Sequence, residues 1–543
     1  MSERVAEGPE FTPWPPELAE RYRARGYWIG RPLDHLLRER ARQQPDAVAL
    51  IEGERCCRYA ELDRRADRLA AALAGRGLRA GDKVVLQLPN GIAFFELFFA
   101  LLRLGVVPVL ALPAHREREL AAFCRMTGAR WLFTAERHAG FAHRELAGRL
   151  QAAGVIDRVV VAGEGGPHLA LADLDAEAAP LPPVDPAGMA VLQLSGGTTA
   201  VPKLIPRSHE DYYYSVRASA ELCRLSTADV YLAVLPVAHN FPLTSPGVLG
   251  TLWAGGTVVL APDGVPDRAF DLIEAHGVTV TALVPALALA WLQARRRRAL
   301  GGRLRLLQVG GAKLDPDGAR ALQAAFAPAV LQQVFGMAEG LINYTRLDDP
   351  PERIAACQGR PLSADDEIRI VDEQDRPVPP GATGLLLTRG PYTIRGYYRA
   401  AAHNREAFTA DGFYRTGDRV RLTPEGDLVV EGRVKEQINR GGEKIAAAEV
   451  EAALRAHPQV FDAAVVAQND PYLGERSCAF VVPREGARLD LGTLRRFMLE
   501  QGWAPYKLPD RLVLLETLPT TGVGKIDKNA LRALLARGTD RTG

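Results

Sequence analysis

Apolar and polar positions along this chain alternate between two periods. Asp34 to Gln44 has the three-to-four-residue spacing of an amphipathic helix, and Ala47 to Ile51 is a continuous apolar run of strand length. The rhythm repeats, predicting helices over Ala60 to Arg76, Ile92 to Leu104 and Leu120 to Met126. It predicts strands over Lys83 to Gln87, Val106 to Leu112, Arg130 to Thr134 and Asp157 to Ala162. Met189 to Leu194 is a further buried run, and strand-like segments follow at Tyr231 to Leu235, Thr257 to Leu260, Val278 to Leu283 and Leu304 to Val309. Helices interleaved with short apolar strands predict parallel layers with helices on both faces, an α/β class. Between Ile368 and Leu387 short strands turn at Asp372-Glu373 and Pro379-Pro380-Gly381, a small β unit. After Gly432-Arg433 the character shifts again. Helices over Ala446 to His457 and Thr493 to Gln501 mix with strands over Ala463 to Ala467, Ser477 to Val482 and Arg511 to Leu515, an α+β unit of a size that folds alone. The expected organisation is a large N-terminal domain of layered α/β subdomains plus a small β unit, residues 1–433, and an α+β C-terminal domain, residues 434–543, divided near Val434-Lys435.

Three stretches could disturb that picture. Phe11 to Leu33 holds Pro13, Trp14, Pro15, Pro16, Tyr22, Tyr27 and Trp28, and is expected as an arm packed over the domain surface. Ile92 to Leu112 is apolar but carries Glu96, Arg103 and Pro108, and Val278 to Leu292 is short and holds Pro285, so neither is expected to span a membrane. With 543 residues, 47% of them apolar and 24% charged, the chain has room for several core-sized units. A formal net charge of +2 gives no strong pull toward nucleic acid or an anionic membrane, so neither is an expected partner. The six cysteines are scattered without metal-ligand spacing, and Met1 to Glu10 has no apolar core of a secretion signal; a cytoplasmic protein is expected.

Candidate chemistry gathers in a few places. Met189 to Leu194 breaks into Ser195-Gly196-Gly197-Thr198-Thr199-Ala200-Val201-Pro202-Lys203, where glycine backbone, hydroxyls and a lysine can cradle phosphate. The spacing is not that of a Walker loop, and a plain surface loop is the alternative. Gln333 to Glu339 offers the Phe335 ring for adenine and the Glu339 carboxylate for magnesium, against an ordinary core ring and a solvated carboxylate at a helix start. Asp411-Gly412-Phe413-Tyr414-Arg415-Thr416-Gly417-Asp418 puts a carboxylate after a glycine turn, suited to two ribose hydroxyls. Thr520-Thr521-Gly522-Val523-Gly524-Lys525 puts a lysine on a flexible turn near the chain end.

Taken in order with Gly432-Arg433 and Gly441-Gly442-Glu443-Lys444-Ile445, these motifs resemble the acyl-adenylate-forming superfamily over nearly the whole chain. The resemblance implies ATP and Mg2+ as cofactors and a carboxylate that attacks the α-phosphorus and expels pyrophosphate. It implies that Ser195, Gly196, Gly197, Thr198, Thr199 and Lys203 hold phosphates, that Phe335 stacks on adenine and Asp418 and Arg433 grip the ribose, that Gly310 and Gly336 also bind ATP, and that Glu339 holds magnesium. Lys525 is implied as the catalytic lysine, stabilising charge as it builds between the two anions. Lys435 matches the hinge of a mobile C-terminal domain, and Gly441 and Gly442 the wall of a pantetheine tunnel. Ala200 departs from the usual glycine of the loop.

The string Pro236 to Gly247 narrows the acid. Amino-acid-activating relatives place an aspartate where Asn240 stands, to balance an α-ammonium; asparagine can instead hydrogen-bond a phenolic oxygen. His239-Asn240-Phe241-Pro242-Leu243-Thr244-Ser245, the Phe11 to Leu18 arm and Gly441 to Glu451 look like stand-alone aryl acid adenylating enzymes of siderophore assembly. That likeness implies a ring pocket of Asn240, Phe241, Ser245, Gly311, Val334, Ala338 and Ile342 with His239, a catalytic residue, at its mouth, and 2,3-dihydroxybenzoate or salicylate as substrate. Ser245 favours the first acid and the bulk of Ile342 the second, so activity on both is expected. No carrier-attachment signature is present, so the acceptor is expected to be an aryl carrier protein on another chain, with coenzyme A as the nearest rival. A non-catalytic nucleotide-binding relative is the more distant alternative.

Overall fold

The computed structural model describes residues 8–195, 203–433, 437–484, 486–519 and 526–536. Two sheets with helices against them carry most of the N-terminal part. In the first, Val107–Leu110, Lys83–Gln87, Trp131–Ala135, Arg158–Ala162 and Leu169–Ala170 follow Met189–Leu194 in parallel, and Leu204–Ser208 closes the edge antiparallel to Met189–Leu194. In the second, Val330–Met337, Leu306–Gly310, Val280–Leu283, Val230–Ala233, Thr257–Leu260 and Val48–Glu52 are parallel neighbours. Antiparallel strands flank them at both edges: Gly340–Tyr344 and Arg360–Pro361 on one side, Arg55–Arg58 on the other. Continuous apolar runs predict strands covered on both faces, and these strands are almost wholly buried.

Helix Ile92–Leu104 shows why the first apolar stretch stays inside the protein. It touches a strand of each sheet, Val107–Leu110 and Val48–Glu52, and is buried around nearly its whole circumference. Its Arg103 is neutralised by Asp63 and by Asp67, the latter at 2.9 Å. Among the described residues no helix is long and apolar enough to cross a membrane. The N-terminal arm lies over the domain with its aromatic side chains turned inward. It forms helix Pro16–Ala24, and Trp14, Tyr22 and Trp28 are buried in the main core, because the Trp14 and Trp28 indoles donate to the Gly390 and Pro391 carbonyls at 3.2 and 3.0 Å.

Glu367–Val371, Gly384–Arg389, Tyr414–Leu422 and Leu428–Arg433 form the small antiparallel sheet. Beyond it, Gln437–Arg440, Glu443–Ala446, Val460–Asp470, Gly474–Pro483 and Arg511–Leu514 pair into a sheet with its own core. Helices Ala447–Arg455, Leu491–Glu500 and Lys528–Ala536 accompany it, the α+β content the pattern predicts.

Candidate active site

Ligands of open parallel sheets bind beyond the carboxyl ends of the strands, and the candidate cavity lies there. Val230–Ala233 runs into the segment that carries the short helix Asn240–Thr244, Leu306–Gly310 ends beside Gly311, and Val330–Met337 turns through Ala338-Glu339 into Gly340–Tyr344. Asn240, Phe241, Ser245, Gly311, Val334, Ala338 and Ile342 all line one cavity, together with His239, Glu339 and Ser195. Gly310 lines neither this cavity nor its neighbour. A Cβ there would lie 2.7 Å from the Val334 carbonyl oxygen and 2.9 Å from the Phe241 ring, so its lack of a side chain lets that ring pack.

The orientation of Asn240 is fixed by a chain of hydrogen bonds. Gln193 Nε2 donates to the Tyr212 hydroxyl at 2.8 Å, and that hydroxyl donates to Asn240 Oδ1 at 2.8 Å. A hydroxyl that already receives must place its single proton on the next acceptor, so the amide oxygen is held and Nδ2 is left over. Among the described residues Nδ2 donates to nothing. His239 caps the short helix, its Nδ1 accepting from the Phe241 N–H at 3.3 Å, so the neutral ring carries its proton on Nε2. Although its surface opens onto the cavity, enclosure by the walls and then the Lys444 ammonium push the imidazole down, to about 4.

Glu339 sits in the hairpin link, not at a helix start, and is buried. Its Oε1 accepts from the Tyr397 hydroxyl at 2.8 Å, its other oxygen has no partner among the described residues, and the Tyr397 and Tyr414 hydroxyls are 2.8 Å apart. Lys203 approaches the same ring, with Nζ 5.9 Å from the Tyr397 centroid. Ser195 and Lys203 exchange two hydrogen bonds of 2.9 Å, which draws the ends of the glycine loop together. Gly196, Gly197, Thr198 and Thr199 within it lie outside the described residues, as do Lys435 and Lys525.

A second cavity adjoins the first and is lined by Phe335, Gly336, Gly311, Gly432 and Asp418. Asp418 is buried on Tyr414–Leu422, directly opposite Arg433 in the antiparallel register, with its N–H donating to Thr416 Oγ1 at 3.0 Å. The two cavities share Gly311, Val334, Gly336 and Lys444. Two reactants filling them would therefore meet beside Gly336. The C-terminal part closes this junction with the hairpin Gln437–Arg440 and Glu443–Ala446, whose turn residues Gly441 and Gly442 have φ of 59° and 94°. Gly442 lines the first cavity, and a Cβ on it would come within 2.9 Å of Val284 Cγ1.

Residues 37–398 match the family model of the AMP-binding enzymes, and residues 449–525 that of the AMP-binding enzyme C-terminal domain. The chain belongs to the AMP-binding enzyme family. It is 54% identical to a 2,3-dihydroxybenzoate-AMP ligase of Bacillus subtilis, over 97% of this chain and 98% of that one. It is 51% identical to a salicyl-AMP ligase / salicyl-S-ArCP synthetase of Mycobacterium tuberculosis, over 96% and 94%. Among solved structures, the apo structure of Mycobacterium smegmatis MbtA superposes with a TM-score of 0.75 at 50% identity, covering 96% of this chain and 98% of that one.

Several residues at the site of this AMP-binding enzyme carry no role in the sequence reading. Lys444 lines both cavities, and only its place in the Gly441 to Ile445 run could have pointed to it. Met337, Glu443, Tyr506, Lys507 and His115 also line the first cavity. Lys507 had no local signal, because its carboxylate partners, Glu119 and Glu449, are remote from it in sequence.

Proposed function

We propose that this AMP-binding enzyme activates a 2-hydroxylated benzoic acid, 2,3-dihydroxybenzoate or salicylate, with ATP to give the aryl adenylate and pyrophosphate. It then passes the aryl group to the phosphopantetheine thiol of an aryl carrier protein on another chain, as siderophore-type assembly requires. The observation that carries this reading is the fixed amide of Asn240. Its oxygen is taken by Tyr212 and its nitrogen is left over at a cavity walled by Phe241, Val334 and Ile342, which suits an aromatic ring bearing an acceptor oxygen. The likeness to relatives named for 2,3-dihydroxybenzoate and salicylate supports the same ring chemistry.

In this reading the acid lies in the first cavity and ATP in the second, with the carboxylate and the α-phosphorus meeting beside Gly336. Phe335 stacks on adenine, Asp418 and Arg433 hold the ribose, and residues 195–203 hold the phosphates. The Glu339 carboxylate suits magnesium: one oxygen is fixed by Tyr397 and the other has no protein partner among the described residues. Glu339 would be the side chain that holds the ion, and no cluster of three or more metal-ligating side chains occurs among the described residues. The ion would neutralise phosphate charge. Lys525 stabilises the charge that builds between carboxylate and phosphate. Residues 434–543 act as a mobile unit hinged at Lys435. For the second step the Gly441-Gly442 turn walls the path of the pantetheine arm, the thiol loses its proton to water, its sulfur attacks the carbonyl carbon, and AMP leaves with the bonding pair. Neutral His239 at the mouth offers its Nε2–H to the reacting oxygens.

The test is ATP–pyrophosphate exchange with salicylate, 2,3-dihydroxybenzoate, benzoate and a set of amino acids. Exchange with the first two, weak exchange with benzoate and none with amino acids is expected. No exchange with either hydroxylated acid overturns the reading. Thioester formation on an aryl carrier, compared with free coenzyme A, decides the acceptor.

A further inference from the structure

One buried ionic cluster joins the two parts of the chain that match separate family models. Lys507 Nζ donates to Glu449 Oε1 at 2.6 Å and to Glu119 Oε1 at 3.0 Å, and all three side chains are at most 4% exposed. Lys507 and Glu449 belong to the C-terminal part, and Glu119 to helix Glu117–Thr127 of the N-terminal part. Glu119 is held in place by its own helix, since Oε2 accepts from the Arg116 N–H at 3.0 Å and leaves Oε1 to meet the lysine. One residue away, the Arg118 guanidinium lies 4.2 Å from the centroid of the buried Trp503 ring, so the Trp503 to Lys507 segment docks on the start of that helix through two contacts. Lys507, Tyr506 and Glu449 also line the first cavity beside Gly442 and Lys444, so the docking sets where the C-terminal wall stands.

The physics of such a cluster suits a contact that must both form and part. Burying an ammonium and a carboxylate costs desolvation energy close to what their attraction returns, so a buried pair fixes one arrangement without making it irreversible. Lys507 keeps Glu449 as a partner within its own unit when the units separate, while Glu119 returns to water. Burial opposes ionisation of Glu119, but Lys507 and then His115 outweigh it and hold the carboxyl below its usual range, so it meets the lysine charged.

We propose that Glu119 and Lys507 form a catch that holds the C-terminal unit with the Gly441-Gly442 turn at the cavity, and that Glu119 is thereby a positioning residue for aryl transfer and not for adenylation. The assignment to one half-reaction rests on the function proposed above; the catch itself does not.

Two measurements separate these claims. Spin labels placed at the exposed positions Asp317 and Phe461, in a C56S background that removes the exposed cysteine, read the distance between units in substrate-free protein. The parent should give one narrow distribution, and Glu119→Gln, which keeps an acceptor for the Arg116 N–H but removes the charge, should add a second. An unchanged distribution overturns the catch whatever the enzyme's substrate. For the half-reactions, Glu119→Gln should slow single-turnover aryl transfer about tenfold, an ordinary size for coupling between parts of a protein, with pyrophosphate exchange unchanged. Glu119→Asp should recover part of the loss. Equal losses in exchange and transfer with a lowered melting temperature would mean a merely structural residue and would overturn the assignment. If the parent protein itself shows no exchange with any aryl acid, the proposed function falls, while the label distances still decide the catch.

Discussion

The two walls of the first cavity are made by different physics. Around the ring the N-terminal wall is uncharged and held by hydrogen bonds: Asn240 is held by Tyr212 and Gln193, Ile342 lies in a strand, and its N–H donates to the Tyr392 hydroxyl at 3.2 Å. The C-terminal wall gathers ionisable groups, Lys444 and Lys507 with Glu443 and Glu449, whose carboxyls burial pushes up to about 7, and it rests on a glycine turn and an ion pair across a boundary. Side chains fixed by buried hydrogen bonds keep one shape; ionic contacts that water can replace are suited to making and breaking. The difference implies a division of labour in which the N-terminal wall chooses the acid and the C-terminal wall chooses the step.

The strongest way to break that division is through the chain's last motif. Lys525→Ala should lower pyrophosphate exchange by about 10²–10³, the usual cost of removing one group that stabilises transition-state charge, without altering which acid is preferred. A change in acid preference would mean that the C-terminal part also reads the ring.

Gly442→Ala attacks the same wall from the other side. The residue has φ of 94°, and a Cβ would press on Val284 at 2.9 Å, so the turn must back away from the cavity. Aryl transfer should fall about tenfold, the scale of one to two kcal/mol of backbone strain, while exchange stays near the parent rate. Loss of exchange to the same degree would show that this turn serves both steps.

On the N-terminal wall, Tyr212→Phe removes the donor that holds the Asn240 oxygen and leaves the amide free to turn. The KM for salicylate should rise about five- to tenfold, the value of one buried hydrogen bond, with KM for benzoate little changed because benzoate has no ortho oxygen to recognise. Equal rises for both acids would place the effect in packing and not in recognition.

Legibility from sequence followed the same boundary. Periodicity placed Lys83–Gln87 and Ile92–Leu104 to the residue, and motif order drew Asn240, Phe241, Glu339 and Asp418 to two adjoining cavities, because each is tied to a local pattern. The arm over Phe11 to Leu33 is legible as a covering of the domain, but the carbonyls near Gly390 that its indoles reach are a contact no local pattern encodes. Lys507 escaped for the same reason. Burial of a lysine depends on carboxylates brought from residues 119 and 449, and nothing in Ala504-Pro505-Tyr506-Lys507 announces them. Gly310 has no local pattern that announces its close approach to Phe241, whose ring a Cβ there would meet at 2.9 Å.

The smallest expected effect is the sharpest test of how finely the N-terminal wall reads its ring. Ile342 is buried, with its backbone held by Tyr392 and its side chain at the cavity, so Ile342→Val removes one methylene without disturbing the strand. A hydrophobic wall discriminates weakly, by about 1 kcal/mol for such a change, whereas a hydroxyl read by a hydrogen-bonding partner discriminates far more. Ile342→Val should therefore move the ratio of kcat/KM for 2,3-dihydroxybenzoate over salicylate upward by only a few-fold. Ser245→Ala, which removes the buried hydroxyl beside the ring, should move it downward by more. If the methylene changes the ratio more than the hydroxyl does, shape and not hydrogen bonding sets the choice at this wall, and the contrast between a reading wall and a stepping wall has to be redrawn around volume.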